Sequence, residues 1–72
     1  MNKIATEISL YIEENGIKQS YIAEKLGISP DLFSKTLLGQ RRMPATEFFE
    51  ICFILNVDPN YFYQKFISEK IA

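Results

Sequence analysis

Every glycine and every proline of this chain falls where a helical pattern pauses, and that punctuation limits the fold more than any other feature of the sequence. Gly16, Gly27 and Gly39 stand where helices would close, and Pro30, Pro44 and Pro59 where helices would open. This is the distribution expected when glycine takes the left-handed conformation past a helix end and proline pre-sets the first turn. Five helices follow. The first is expected over residues 2–15, with Ile4, Ile8 and Ile12 forming a stripe at four-residue spacing and Gly16 ending it. The second covers 19–26, with Ile22, Ala23 and Leu26 turned inward and Gly27 closing it. Ser29 followed by Pro30 is a hydroxyl N-cap ahead of a first-turn proline, so a third helix runs to Leu38. Pro44 opens a fourth, apolar on more than one side through Phe48, Phe49, Ile51, Cys52, Phe53 and Leu55, and expected to be the central element of the core. Asn56 ends it. Asp58-Pro59 repeats the cap-and-proline signal for a fifth helix carrying Tyr61, Phe62, Tyr63, Phe66, Ile67 and Ile71. No stretch alternates in the manner of a strand.

Composition narrows the chemistry. Hydrophobic residues make up 47% and charged residues 24% of 72 positions, the balance of a globular chain and the length of a single domain, expected over 1–72. One cysteine and no histidine leave no ordinary zinc site and no Ser-His or Cys-His nucleophile, so neither metal, cofactor nor catalysis is expected. The carboxylates Glu13-Glu14 and Glu47-Glu50 are expected on solvated helix faces, with no base or phosphate loop near them. Apolar runs such as Phe53-Ile54-Leu55 are far too short to span a bilayer, and the first residues carry no signal-peptide core, so the expected location is cytoplasmic.

The net charge of −1 argues against an unselective polycation, but the charges are unevenly placed. Between Lys18 and Arg42, five basic residues (Lys18, Lys25, Lys35, Arg41, Arg42) face two acidic ones (Glu24, Asp31), a local +3. The flanks hold three basic and seven acidic residues, a sum of −4.

Residues 19–39 read QSYIAEKLGISPDLFSKTLLG: a short helix, a tight turn at Gly27 and a second short helix, with the small Ala23 allowing close approach. This stretch resembles the helix-turn-helix of the Cro-type, lambda-repressor-like DNA-binding family, with the motif at 19–38. The likeness extends from Ile8 to Phe62. It is carried by Gln19 and Ala23, by Leu26-Gly27-Ile28-Ser29 at the turn, and by Gly39-Gln40-Arg41-Arg42 after the third helix, then by Pro44 and Leu55-Asn56-Val57-Asp58. The resemblance implies an all-α, compact five-helix lambda-repressor-like domain. Its implied function is a small sequence-specific transcriptional regulator, acting as a repressor and bound to double-stranded DNA. Three departures from the family's usual pattern stand out: Lys18 stands where a capping Ser or Thr is common, Ile12 and Leu37 replace a buried ion pair, and Pro30 has no side-chain donor.

A helical projection agrees with the role the resemblance gives the third helix. With Phe33 inward and 100° per residue, Ser29, Pro30, Thr36 and Leu37 join it, Asp31, Lys35 and Leu38 point outward, and Leu32 and Ser34 take the shoulders. The resemblance maps base contacts onto Pro30, Asp31, Leu32 and Lys35. Lys35 is suited to guanine O6 and N7, Asp31 to cytosine N4 and Leu32 to a thymine methyl. Phosphate contacts are expected from Lys18, from Gln19 at a helix start, from Ser34, and from Gln40, Arg41 and Arg42 in the following loop.

Phe48, Phe49, Phe53, Phe62 and Phe66 are read as core. Tyr61, Tyr63, Ile67 and Ile71 are read as a self-association patch, giving a homodimer with recognition helices one DNA turn apart. No small-molecule ligand and no membrane partner is expected. A second reading stays open: a protein-interaction module on the same scaffold, antitoxin-like or anti-repressor-like, suggested by the acidic balance, Asp31 and the exposed leucines.

Overall fold

The computed structural model describes the backbone of residues 3–71 and the side chains of residues 3–68. Five helices appear in the expected order: α1 (Lys3–Glu14), α2 (Gln19–Leu26), α3 (Pro30–Leu37), α4 (Ala45–Leu55) and α5 (Pro59–Ile71), with no strand among the described residues. Pro44 is the N-cap of α4, one residue ahead of the first helical position expected for it.

The four connections share one local device. Gly16, Gly27, Gly39 and Asn56 all have positive φ, at 64°, 76°, 78° and 57°. At each, the left-handed residue donates its N–H three residues back and the next residue donates five back. The second of these bonds is Ile17 to Ile12 (2.9 Å), Ile28 to Ala23 (3.1 Å), Gln40 to Lys35 (2.8 Å) and Val57 to Cys52 (2.9 Å). This is the Schellman arrangement, which satisfies carbonyls that a helix end would otherwise leave without donors. Its usual companion is an apolar contact from the residue after the turn, and Ile17, Ile28 and Val57 do pack against the core. Only after α3 is that residue polar, Gln40, and it is exposed.

Helix starts follow the sequence equally closely. Ser29 Oγ accepts the Leu32 N–H at 3.1 Å, and Asp58 Oδ1 accepts the Asn60 N–H at 2.9 Å. Lys18 occupies the N-cap of α2 and makes no side-chain cap bond, the weaker start expected from its lack of a short acceptor.

One buried cluster draws on all five helices: Ile8 and Ile12 of α1, Ile22 and Ala23 of α2, Phe33 and Leu37 of α3, Ile51 and Cys52 of α4, and Phe62 of α5. Ile12 and Leu37 are both part of this hydrocarbon core, 3% and 6% exposed. Phe62 is the aromatic hub, with edge-on or tilted ring contacts to Phe48 at 6.2 Å, Tyr11 at 5.8 Å and Tyr61 at 5.2 Å. The cluster fixes α3 by its inner face alone, against α2 and α1.

Three core and surface expectations need correction. Phe49 and Phe53 are not core: they are 57% and 87% exposed. α4 is apolar on more than one side, and its neighbours cover fully the side bearing Ile51 and Cys52 and only partly Phe48, Ile54 and Leu55. Glu47 is not solvated; it is 8% exposed, for a reason given below.

Candidate nucleic-acid interface

α3 divides into two faces as its periodicity requires. Phe33, Thr36 and Leu37 are buried, while Pro30, Asp31, Leu32, Lys35 and Leu38 are exposed. Ser34 is half-buried at the shoulder. Pro30 and Ser29, expected inward, are exposed at the helix start. All four candidate base-contacting residues therefore lie on accessible surface, Pro30, Asp31 and Leu32 at the N-terminal end and Lys35 in the last turn of a helix whose inner side is locked to α2.

The outer face carries its own ion pair. Lys35 Nζ lies 3.3 Å from Asp31 Oδ2, one helical turn apart, with both side chains open to solvent. Pairs of this kind contribute only about 0.3–0.5 kcal/mol. The two groups are therefore easily separated by a partner that offers each a better contact. Leu38 is 67% and Leu32 41% exposed, so the face is amphipathic rather than purely polar.

The loop after α3 departs from the expectation of two free guanidinium forks. Arg41 Nη1 donates to Glu47 Oε1 at 2.9 Å and to Thr36 Oγ1 at 2.7 Å, while Nη2 donates to Glu47 Oε2 at 3.2 Å. The Thr36 hydroxyl in turn donates a hydrogen bond to the Leu32 carbonyl at 2.9 Å. The hydrogen bond to Glu47 raises the guanidinium pKa further above its usual value. Arg41 is thus engaged inside the molecule, tying the loop and α4 to the back of α3, instead of standing ready for a phosphate. The reason is geometric: the backbone N–H groups of Gln40 and Arg41 both bond to the Lys35 carbonyl, which turns the chain back under the helix and points residue 41 inward.

Arg42 and Gln40 remain exposed beside that turn, as do Lys18 and Gln19 at the start of α2. The structure brings the loop to the end of α3 as expected and leaves one of its two arginines at the surface. Thr36 and Glu47 are the residues that sequence reasoning missed. A signal for Glu47 was present, since it precedes the buried Ile51 by four residues and Ile54 by seven, placing a carboxylate on an apolar stripe.

Of the four residues read as a dimer patch, Tyr61 and Tyr63 are exposed and Ile67 is half-buried, while the side chain of Ile71 lies outside the described residues. Tyr61 is engaged within its own chain, with ring contacts to Tyr11 at 5.7 Å and Phe62, and Lys65 Nζ 5.2 Å from its ring centre.

Among the described residues no cluster of three or more His, Cys, Asp or Glu side chains is arranged to hold a metal. No helix there is long and apolar enough to cross a membrane. Comparison with family models, curated proteins and solved structures gives no match to this chain.

Proposed function

We propose that the chain is a sequence-specific DNA-binding regulator of the lambda-repressor-like type, laying the outer face of α3 in the major groove as a repressor. The observation that carries this reading is the division of α3. A short helix is held rigidly by Phe33, Thr36 and Leu37, capped by Ser29, and bare along Pro30, Asp31, Leu32 and Lys35. Rigid backing with an exposed N-terminal edge is what groove reading demands, because base contacts discriminate only if the helix holds its register.

In this reading, contact with DNA separates Asp31 from Lys35. Lys35 donates to a guanine, Asp31 accepts from a cytosine amine, and Leu32 meets a thymine methyl. Arg42, Gln40, Lys18 and Gln19 hold the backbone on either side, Ser34 assists from the shoulder, and Arg41 contributes indirectly by fixing the loop. Two chains on a two-fold axis would read a palindrome and block access to a promoter.

The test is selection of binding sites from random duplex DNA with purified protein, followed by titration of the enriched site against salt. If Lys18 and Arg42 of both chains neutralise about four phosphates, log K falls against log salt with a slope of about −3.6. A flat salt dependence overturns the proposal. Lys18→Ala with Arg42→Ala should abolish binding while leaving the thermal transition in place, since both side chains are exposed.

The exposed Leu32 and Leu38 favour one competing reading, an interaction module that grips a protein through the same face. Leu38→Ser separates the two. It removes only apolar surface, one turn beyond Lys35, and no donor or acceptor for a base or phosphate, so DNA affinity should survive it while an apolar protein contact should not.

A further inference from the structure

We infer that α4 carries the self-association surface of this chain, and that its occupant is a second copy of the same chain, with Phe53 of each copy seated in a groove of the other. The inference supplies the two-fold axis that the proposed DNA reading calls for; the contact itself does not depend on DNA.

The observations are a projection and a recess side by side. Phe53 is 87% exposed and Phe49, one turn earlier, 57%. Around them, at the corner where α4 gives way to α5, lies an open groove of about 420 Å³ lined by Phe49, Cys52, Phe53, Asn56, Val57, Asp58 and Pro59. A ring standing out beside a recess that is apolar except for Asn56 and Asp58 is self-complementary under a two-fold axis, because one rotation places each ring in the other recess. A heterologous partner would have to supply its own matching ring and recess.

Charge argues against an anionic partner, and area suits a second copy. Between Thr46 and Gln64 the charged residues are Glu47, Glu50 and Asp58. Glu47 is consumed by Arg41, so an acidic partner such as DNA finds no cation here. Around Phe49 and Phe53 the exposed surface of α4 is Ala45, Thr46, Glu50 and Asn56, so the rings are flanked by Glu50 on the helix and Asp58 in the groove. Taking about 200 Å² for a phenylalanine ring and its stem, these exposures amount to roughly 290 Å² per copy from two side chains. The flanking residues bring each side toward the roughly 500 Å² that a small specific interface needs. The α5 surface offers less, since Tyr61 already lies against Tyr11 and Phe62.

The test is sedimentation equilibrium of the full chain at micromolar to high-micromolar concentration, for the wild type, Phe53→Glu and Tyr63→Glu. Phe53 is almost wholly solvent-exposed, so its replacement leaves the core intact, and an unchanged thermal transition at low concentration verifies this. Expected is a wild-type dimer whose dissociation constant rises at least 100-fold in Phe53→Glu and changes less than about threefold in Tyr63→Glu. A wild-type monomer throughout overturns the inference. So does a dimer that survives Phe53→Glu, and so does one lost only in Tyr63→Glu. Dimerisation through apolar rings should hold or tighten as salt rises, whereas DNA binding should weaken, so each proposal fails by its own measurement.

Discussion

Replacing Gly27 by alanine isolates the energy of a single backbone conformation. Gly27 sits at φ 76° and ψ 25° in the turn between α2 and α3, and a Cβ built there meets nothing within 4 Å. No steric clash with neighbouring atoms therefore adds to the intrinsic penalty of the left-handed region, roughly 1–2 kcal/mol for a residue with a Cβ. Against this, alanine narrows the unfolded ensemble, a gain of about 0.4–1 kcal/mol. The expected net loss is about 1 kcal/mol, or a fall in Tm of about 4–8 °C for a domain of this size. The reverse substitution provides the control. Asn56 ends α4 in the same conformation at φ 57°, so Asn56→Gly should lie within about 0.5 kcal/mol of the wild type, the relief of strain offsetting the added chain freedom. Thermal unfolding followed by far-ultraviolet circular dichroism, with both variants at equal concentration, measures the difference. A Gly27→Ala protein with unchanged Tm refutes the assignment of the left-handed turn. A fall beyond about 15 °C refutes the claim that the position opens only onto solvent.

Glu47→Ala removes the acceptor that holds Arg41 to α4; it should lower Tm by roughly 5–10 °C, while Glu50→Ala, at an exposed site, should change it by no more than a degree or two. Lys18→Thr gives α2 the side-chain cap it lacks and should raise stability by about 0.5–1 kcal/mol in denaturant melts, while costing one phosphate contact in the salt titration. Burial, and then the nearby Asp58, push the Cys52 thiol above its ordinary pKa of 9.0. With the folded pKa the higher, the unfolded chain loses its proton first, so the contribution of this group is complete below about pH 9 and is lost as pH rises from there through the folded value. Cys52→Ala should remove that part of the alkaline decline, which denaturation at stepped pH would reveal.

The helix boundaries were legible because each is set within a few residues: a glycine or asparagine able to take positive φ, a serine or aspartate able to cap, a proline that fits the first turn. The two faces of α3 were legible for the same reason, being fixed by a period of 3.6 residues around Phe33. The Arg41–Glu47 pair was not legible. Its partners are separated by a proline-bearing loop whose path depends on where the Lys35 carbonyl receives its donors, a relation that no spacing rule encodes. Phe49 and Phe53 were misplaced for a different reason. In a helix apolar around most of its circumference, hydrophobicity identifies which residues are suited to burial but not which of them the neighbouring helices reach, and only the arrangement of α2 and α5 around α4 decides that.

The partition of α3 bears on how such a chain can change allegiance. Phe33, Thr36 and Leu37 keep the helix seated, and the tie from Thr36 through Arg41 to Glu47 fastens it from behind. Positions 30, 31, 32 and 35 take no part in that seating. Under the proposed DNA reading, new side chains at 31, 32 and 35 carry little penalty to folding while Pro30 keeps the first turn, so retargeting to a different duplex sequence requires no compensating repair in the interior.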